Sequence, residues 1–246
     1  MRQSNGYVIL FTAIMTVVVG GLLSLTSQVL APAQKISIEL DTKTQILGAV
    51  QELKEGDDIL AIYKKRINSL AVDVNGNEIT TNAKGGPMVA EEVNILKNYK
   101  KDSKDRTYPV FMYMNEQDST KVDAYILPIY GAGLWDKIWG FAALDSNLET
   151  IVGVAFDHKA ETPGLGARIK DAEVRDRYVG KKIFDASGAM MSVSMVKGEG
   201  NANLSDHQVD GMSGATLTGK GVNKMMKQYL ESYQAYFEKV KATTSL

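Results

Sequence analysis

The charge pattern divides the chain unevenly. From Gln3 to Gln34 no side chain is charged, and Val8 to Leu25 is dominated by Val, Ile, Leu, Phe, Met and Gly. A run of 18 such residues is long enough to cross a bilayer as a helix. It is apolar all round rather than along one stripe, which argues against a buried core helix. Tyr7 suits one interface. Arg2 and the α-amino group flank one end, while Lys35 at the other is followed by Glu39 and Asp41. That asymmetry favours a cytoplasmic N-terminus. A cleaved signal peptide is the competing reading, because Ala31-Pro32-Ala33 loosely fits a small-residue cleavage site. The apolar run is long for a signal core and the sequence begins at Met1, so retention is the expectation.

Beyond Gln34 the pattern becomes that of a globular domain. Ile46, Leu47, Val50 and Leu53 recur at helical spacing within Thr42 to Leu53, and Ile59, Leu60, Tyr63 and Ile67 do so within Asp57 to Ile67. Leu70 to Val74 and Glu78 to Thr81 flank Asn75-Gly76, the signature of a tight hairpin. Pro87 to Tyr99 reads as a short helix. Strands are expected over Tyr108–Met114, Lys121–Tyr130, Ile138–Leu144 and Leu148–Phe156, with turns at Asn115–Ser119 and Asp145–Asn147. A loop over 157–167, a helix over Ile169–Tyr178 and a strand over Ser192–Lys197 follow. Gly219 to Val240 closes the chain as an amphipathic helix, with Val222, Met226, Tyr229, Tyr233, Phe237 and Val240 on one face. These elements predict an α+β fold: one N-terminal transmembrane helix (residues 1–34) followed by a single soluble domain (35–246).

Composition removes several kinds of chemistry. The chain has 246 residues, a formal net charge of −1 and no cysteine. The near-neutral charge gives no argument for nucleic acid as a partner. Without cysteine there is no disulfide, no thiolate catalysis and no iron–sulfur ligation by this chain's own thiolates. His158 and His207 are far apart in sequence, so a resident metal is not expected. There is no Walker motif and no dinucleotide fingerprint.

Three glycine-bearing stretches remain. Asp210-Gly211-Met212-Ser213-Gly214-Ala215-Thr216 reads as a tight loop feeding a helix, with Ser213 or Thr216 as its cap. Helix N-termini suit a phosphate, so a threonine hydroxyl there is placed to carry a phosphate ester. An ordinary capped helix has the same sequence. Glu161-Thr162-Pro163-Gly164-Leu165-Gly166 is a tight loop by composition. In Gly131-Ala132-Gly133-Leu134-Trp135, Leu134 and Trp135 are suited to cover a planar ring; Trp139 is better read as core. Weaker candidates are His158 near a ligand and Lys197 or Lys220 near a phosphate. Met190, Met191 and Met195 fit core filling, and Lys97 to Arg106 fits a solvated loop.

The heptapeptide, with Thr218 two residues on, resembles the FMN-binding domain of two related complexes. These are the Na⁺-translocating NADH:quinone oxidoreductase, where the domain occurs in the B and C subunits, and the Rnf-type ferredoxin:NAD⁺ oxidoreductase, where it occurs in the G subunit. The Glu161–Gly166 and Gly131–Trp135 stretches resemble the same family and occur in its order. The single span and the Gly-Leu-Trp-Asp segment look most like the C subunit of the Na⁺-translocating complex.

The resemblance implies FMN joined by a phosphoester bond to Thr216, installed from FAD by a separate flavin transferase. It implies that Asp210 helps the transferase orient Thr216. It further implies a flavin site formed by Asp210, Ser213, Gly214, Ala215, Leu134, Trp135, Glu161, Thr162, Gly164 and Leu165, with no catalytic residue and no metal. The implied role is an electron-carrying subunit in a bacterial inner membrane, with its domain in the periplasm. It would relay electrons toward quinone beside the FMN-bearing B subunit and the iron–sulfur D and E membrane subunits. The G subunit of an Rnf-type ferredoxin:NAD⁺ oxidoreductase, a membrane-anchored, non-covalent anion-binding module and a structural subunit with a vestigial loop are the other readings of the same residues.

Overall fold

The computed structural model describes residues 4–244. Arg2, on which the expected orientation of the apolar segment rests, lies outside them. The chain comprises two compact units, Met1–Lys43 and Thr44–Leu246.

The first unit is helical from Asn5 onward, within helix α1 (Asn5–Gly48). This helix is long and apolar enough to cross a membrane, and its most apolar stretch has no buried residue. The hydroxyls of Thr12, Thr16 and Thr26 donate to the carbonyls of Val8, Thr12 and Leu22 at 2.8, 2.8 and 2.9 Å. These bonds satisfy groups that lipid cannot. Pro32 lies inside the helix without ending it.

In the second unit the separate helix expected over Thr42–Leu53 is instead the end of α1, which stops at Gly48 with Ile46 and Leu47 buried. Helix α2 (Ile59–Arg66) starts where Asp58 Oδ1 accepts the Ala61 N–H at 3.0 Å. Strands β1 (Ile67–Val72), β2 (Tyr108–Met114), β3 (Val122–Ala132), β4 (Lys137–Asp145) and β5 (Ile151–His158) form one antiparallel sheet in sequential order. Short helices α3 (Ile95–Tyr99) and α4 (Ala172–Asp176) lie in the connections. Strands β6 (Ser194–Met195) and β7 (Gln208–Val209) pair in parallel, and α5 (Thr216–Thr244) closes the described chain.

Alternation along the strands makes two cores. On one face Tyr125, Leu127 and Ile129 of β3 and Ile138, Ala142 and Leu144 of β4 join Val222, Met226, Tyr229, Tyr233 and Phe237 of α5. On the other, Ala124, Ile126, Phe141, Ala143 and Ala155 meet Ile46, Leu47 and Tyr63. The Tyr233 hydroxyl donates to the Pro109 carbonyl at 2.6 Å, a buried bond tying α5 to β2. The α+β fold and its closing amphipathic helix are as the pattern predicts.

Several short elements differ from expectation. The hairpin around Asn75-Gly76 is short: on the edge of β1 away from β2, one bridge, Val72 with Glu78, is flanked by bonds from the Ile79 N–H to the Ala71 carbonyl at 2.8 Å and from the Asp73 N–H to the Asn77 carbonyl at 2.9 Å. Pro87–Tyr99 yields only a 3-10 turn at Ala90–Glu92 and the five-residue α3, which begins after the Asn94 cap. Ile169–Tyr178 divides into a 3-10 turn, Gly166–Lys170, and α4.

Candidate functional site

Thr216 is the first residue of α5 and is half-buried. Ala215 precedes it, and its carbonyl takes a bond from the Gly219 N–H at 3.0 Å. Neither Ser213 nor Thr216 is therefore the cap: Thr216 is already inside the first turn. First-turn N–H groups have no intrahelical partner, so the positive end of a 29-residue helix faces whatever the Thr216 hydroxyl carries.

The approach to α5 is a type II turn. The Ala215 N–H donates to the Met212 carbonyl at 3.2 Å, and Gly214 has φ +73°. A Cβ on Gly214 would also come within 2.8 Å of Leu165 Cδ2. The second motif thus packs directly on the first. It is built on a similar turn: the Leu165 N–H donates to the Thr162 carbonyl at 3.1 Å, with Gly164 at φ +74°.

An ionic network braces the heptapeptide from behind. Arg177 Nη1 donates to the carbonyls of Gly211 at 2.5 Å and Asp210 at 3.3 Å. Glu199 accepts from both terminal nitrogens of Arg168 at 3.0 and 2.7 Å, from Arg177 Nη2 at 2.9 Å and from the Ser213 N–H at 3.3 Å. The bonds from Arg168, then from Arg177 and Ser213, hold the Glu199 carboxyl well below the usual carboxylate range. The sequence pattern gives no hint of Arg168 or Arg177. For Glu199 the only signal is its proximity to the heptapeptide along the chain.

Asp210 is held by four hydrogen bonds. Its carboxylate accepts from the Gly200 N–H at 2.7 Å, the Asn201 N–H at 3.0 Å, Asn201 Nδ2 at 2.8 Å and the Gly211 N–H at 3.0 Å. Burial pushes this carboxyl up, but those bonds outweigh it and hold it below its ordinary value. Asp210 therefore shapes the 198–201 turn from its place at the head of the heptapeptide.

Glu161 joins two of the motif segments. It is buried, with Oε1 accepting the Trp135 N–H at 2.9 Å and Oε2 accepting the Thr218 hydroxyl at 2.6 Å. Its own N–H donates to His158 Nδ1 at 3.2 Å, so that histidine props the loop. The Trp135 indole N–H donates to Thr162 Oγ1 at 3.0 Å, yet the residue remains 67% exposed. Leu134, Leu165 and Leu217 are exposed as well. Four large apolar side chains left in water on the three motif segments and the first turn of α5 suit a planar ring tethered at the half-buried Thr216 hydroxyl. The residues present therefore fit an FMN esterified at Thr216.

Of the remaining candidates, Lys220 stands one helical turn beyond Thr216 on α5, and Lys197 lies between Val196 and Gly198, whose carbonyls approach Gly211. Lys197 and Lys220 are not buried, and Trp139 packs on the core. Met195 is buried and Met190 packs against the core, whereas Met191 is exposed. A cleft of about 680 Å³ lies toward the C-terminal end of α5, lined by Phe184, His207, Phe237 and Lys241 among others. It shares no residue with the three motifs.

Comparison with known proteins agrees with this geometry. Residues 133–231 match the FMN-binding domain family. The C subunit of the Na(+)-translocating NADH-quinone reductase of Pseudomonas aeruginosa is 31% identical over 216 residues, covering 82% of each chain. The chain belongs to the family of Na(+)-translocating NADH-quinone reductase C subunits. The family member from Chlamydia muridarum is 31% identical over 93% of this chain and 90% of its own. Two solved structures of C subunits share the fold. That from Parabacteroides distasonis has a TM-score of 0.72 at 32% identity, covering 85% of this chain and 96% of its own. That of Shewanella oneidensis NqrC has a TM-score of 0.69 at 27% identity, covering 83% and 98%. The matched FMN-binding domain contains all three motifs from Gly133 onward, Thr216 included.

Proposed function

We propose that this chain carries FMN esterified through its phosphate to Thr216 Oγ1, and serves as an electron carrier in a membrane Na⁺-translocating NADH-quinone reductase. The observation that carries the reading is the convergence of three loops on the first turn of α5, through Leu165 against Gly214 and Glu161 between the Trp135 N–H and the Thr218 hydroxyl, with Leu134, Trp135, Leu165 and Leu217 exposed on those segments. The family supports FMN as the cofactor.

FMN, when bound, supplies reversible electron-carrying chemistry. The chain supplies placement. The first turn of α5 offers backbone N–H groups and a positive dipole end to the phosphate. Trp135, Leu134, Leu165 and Leu217 exclude water from the ring. The turn at Gly214 brings Leu165 against the attachment loop, and Arg177 with Glu199 holds that loop in shape. A covalent tether keeps the carrier at a fixed distance from its donor and acceptor.

Thr216 is a substrate of another enzyme in this reading. A flavin transferase would join the Thr216 oxygen to the FMN phosphorus of FAD, with AMP leaving and the hydroxyl proton released. Helix α1 anchors the chain in the inner membrane, and the domain lies on the periplasmic side. Its partners are the other subunits of the complex: the B subunit with its FMN, and the iron–sulfur D and E subunits. Electrons pass through it toward quinone.

The test is fluorescence of the denatured chain on a gel under ultraviolet light, after co-expression with the transferase. The wild-type band is expected to fluoresce, and a Thr216→Ala band to be dark while the protein still folds. A dark wild-type band overturns the reading.

A further inference from the structure

Glu161 is the sole buried carboxylate among the described residues. It is sealed into the wall between three segments. Oε1 takes the backbone N–H of Trp135, in the β3–β4 connection, at 2.9 Å. Oε2 takes the hydroxyl of Thr218, in the first turn of α5 and itself buried, at 2.6 Å. Two glycines make the space for it. A Cβ on Gly133 would stand 2.5 Å from Oε1, and one on Gly166 would stand 2.6 Å from Oε2. Neither position accepts a side chain while Glu161 holds its place. Next to it, Thr162 holds the indole N–H of the same tryptophan.

We propose that Glu161 is a positioning residue which never touches the flavin: it locks the ring-covering Trp135 to the helix turn that bears Thr216. The inference rests on the reading of Thr216 as the attachment site. The cover and the tether belong to segments about 80 residues apart (135 and 216). The Glu161 carboxylate bonds to both the cover loop and the first turn of the tether helix. With the lock in place the indole and the phosphate ester keep one separation; without it the Trp135 loop moves independently of α5.

A glutamine can reproduce both bonds. Its carbonyl oxygen accepts the Trp135 N–H, and its amide donates to Thr218 Oγ1, since a hydroxyl both donates and accepts. Alanine removes both. The pair therefore separates positioning from charge and from general stability.

The experiment uses the full-length chain in detergent, flavinylated by co-expressed transferase, as wild type, Glu161→Ala, Glu161→Gln and Thr218→Val. Three quantities are read: flavin per chain, the ratio of oxidised to reduced flavin at one fixed ambient potential, and hydrogen exchange at the Trp135 amide. Glu161→Ala is expected to retain covalent flavin, to shift the ratio by about fivefold and to speed Trp135 amide exchange by about tenfold relative to amides of β3 and β4. Glu161→Gln is expected to lie within about twofold of wild type on both measures, because its hydrogen bonds persist. Thr218→Val, which breaks one bond only, should fall between them, and it carries the test if Glu161→Ala does not fold.

A Glu161→Ala protein with wild-type ratio and exchange overturns the proposal. So does a Glu161→Gln protein that behaves as Glu161→Ala. Wild-type protein without flavin on Thr216 would instead defeat the attachment reading, while the amide exchange would still report on the lock.

Discussion

A single methyl group at position 214 would disturb two things at once. Gly214 holds φ +73°, where a residue with a side chain is strained by about 1–2 kcal/mol. The added Cβ would also push on Leu165. Gly214→Ala is therefore expected to lower stability by about 1 kcal/mol or more and to reduce flavin per chain, read by thermal unfolding and by absorbance. Glu199 gives a pH-dependent counterpart. Its carboxyl is depressed below the ordinary 4.5 by Arg168, Arg177 and Ser213. A depressed acid contributes stability that is present above 4.5 and is lost as pH falls through the lower native value. Glu199→Gln should thus be less stable than wild type at neutral pH, and the gap should close as the pH drops below 4.5, followed by urea unfolding. A gap that stays constant with pH would contradict the network. Neither Glu199 nor the true partners of Asp210 were legible in sequence. Asp210 bonds Gly200 and Asn201, nine or ten positions away in a loop with no periodicity, so its place in the motif gave no sign of them.

Elements with a long repeat were legible; short ones were not. The apolar stripe of α5 appears as predicted, with Val222, Met226, Tyr229, Tyr233 and Phe237 buried, because a 3.6-residue period sustained over several turns has few alternatives. The strand Tyr108–Met114 has its expected bounds for a similar reason. By contrast, the strand expected over Ser192–Lys197 is reduced to the two residues of β6, and its parallel partner β7, also two residues, is too short to leave a pattern. The helix expected over Thr42–Leu53 is instead the last part of α1, because Pro32 leaves that helix continuous to Gly48. The α5–sheet contact makes its own prediction. Tyr233→Phe leaves the Pro109 carbonyl without its 2.6 Å bond in a buried setting. The loss should be about 1–3 kcal/mol in urea unfolding, with the sheet intact by circular dichroism.

At the scale of the whole molecule, the fold and the family agree on an FMN-binding domain behind one apolar helix. One apolar helix, one α+β domain and one cluster of exposed apolar side chains at a helix start account for most of the chain. The three motifs were recognisable from sequence, and so was the order in which they occur. Their convergence was not, because it depends on Glu161 reaching both Trp135 and Thr218 across the fold. Membership of the C-subunit family and the match to the FMN-binding domain fit that convergence. The proposed covalent bond at Thr216 is what the reading of the site depends on. Mass spectrometry of the peptide containing Thr216, from full-length protein expressed with a flavin transferase, tests it most directly. This peptide is expected to carry the mass of FMN less one water, located on Thr216 by fragmentation. An unmodified Thr216 peptide, or the same added mass on another residue, would contradict the assignment.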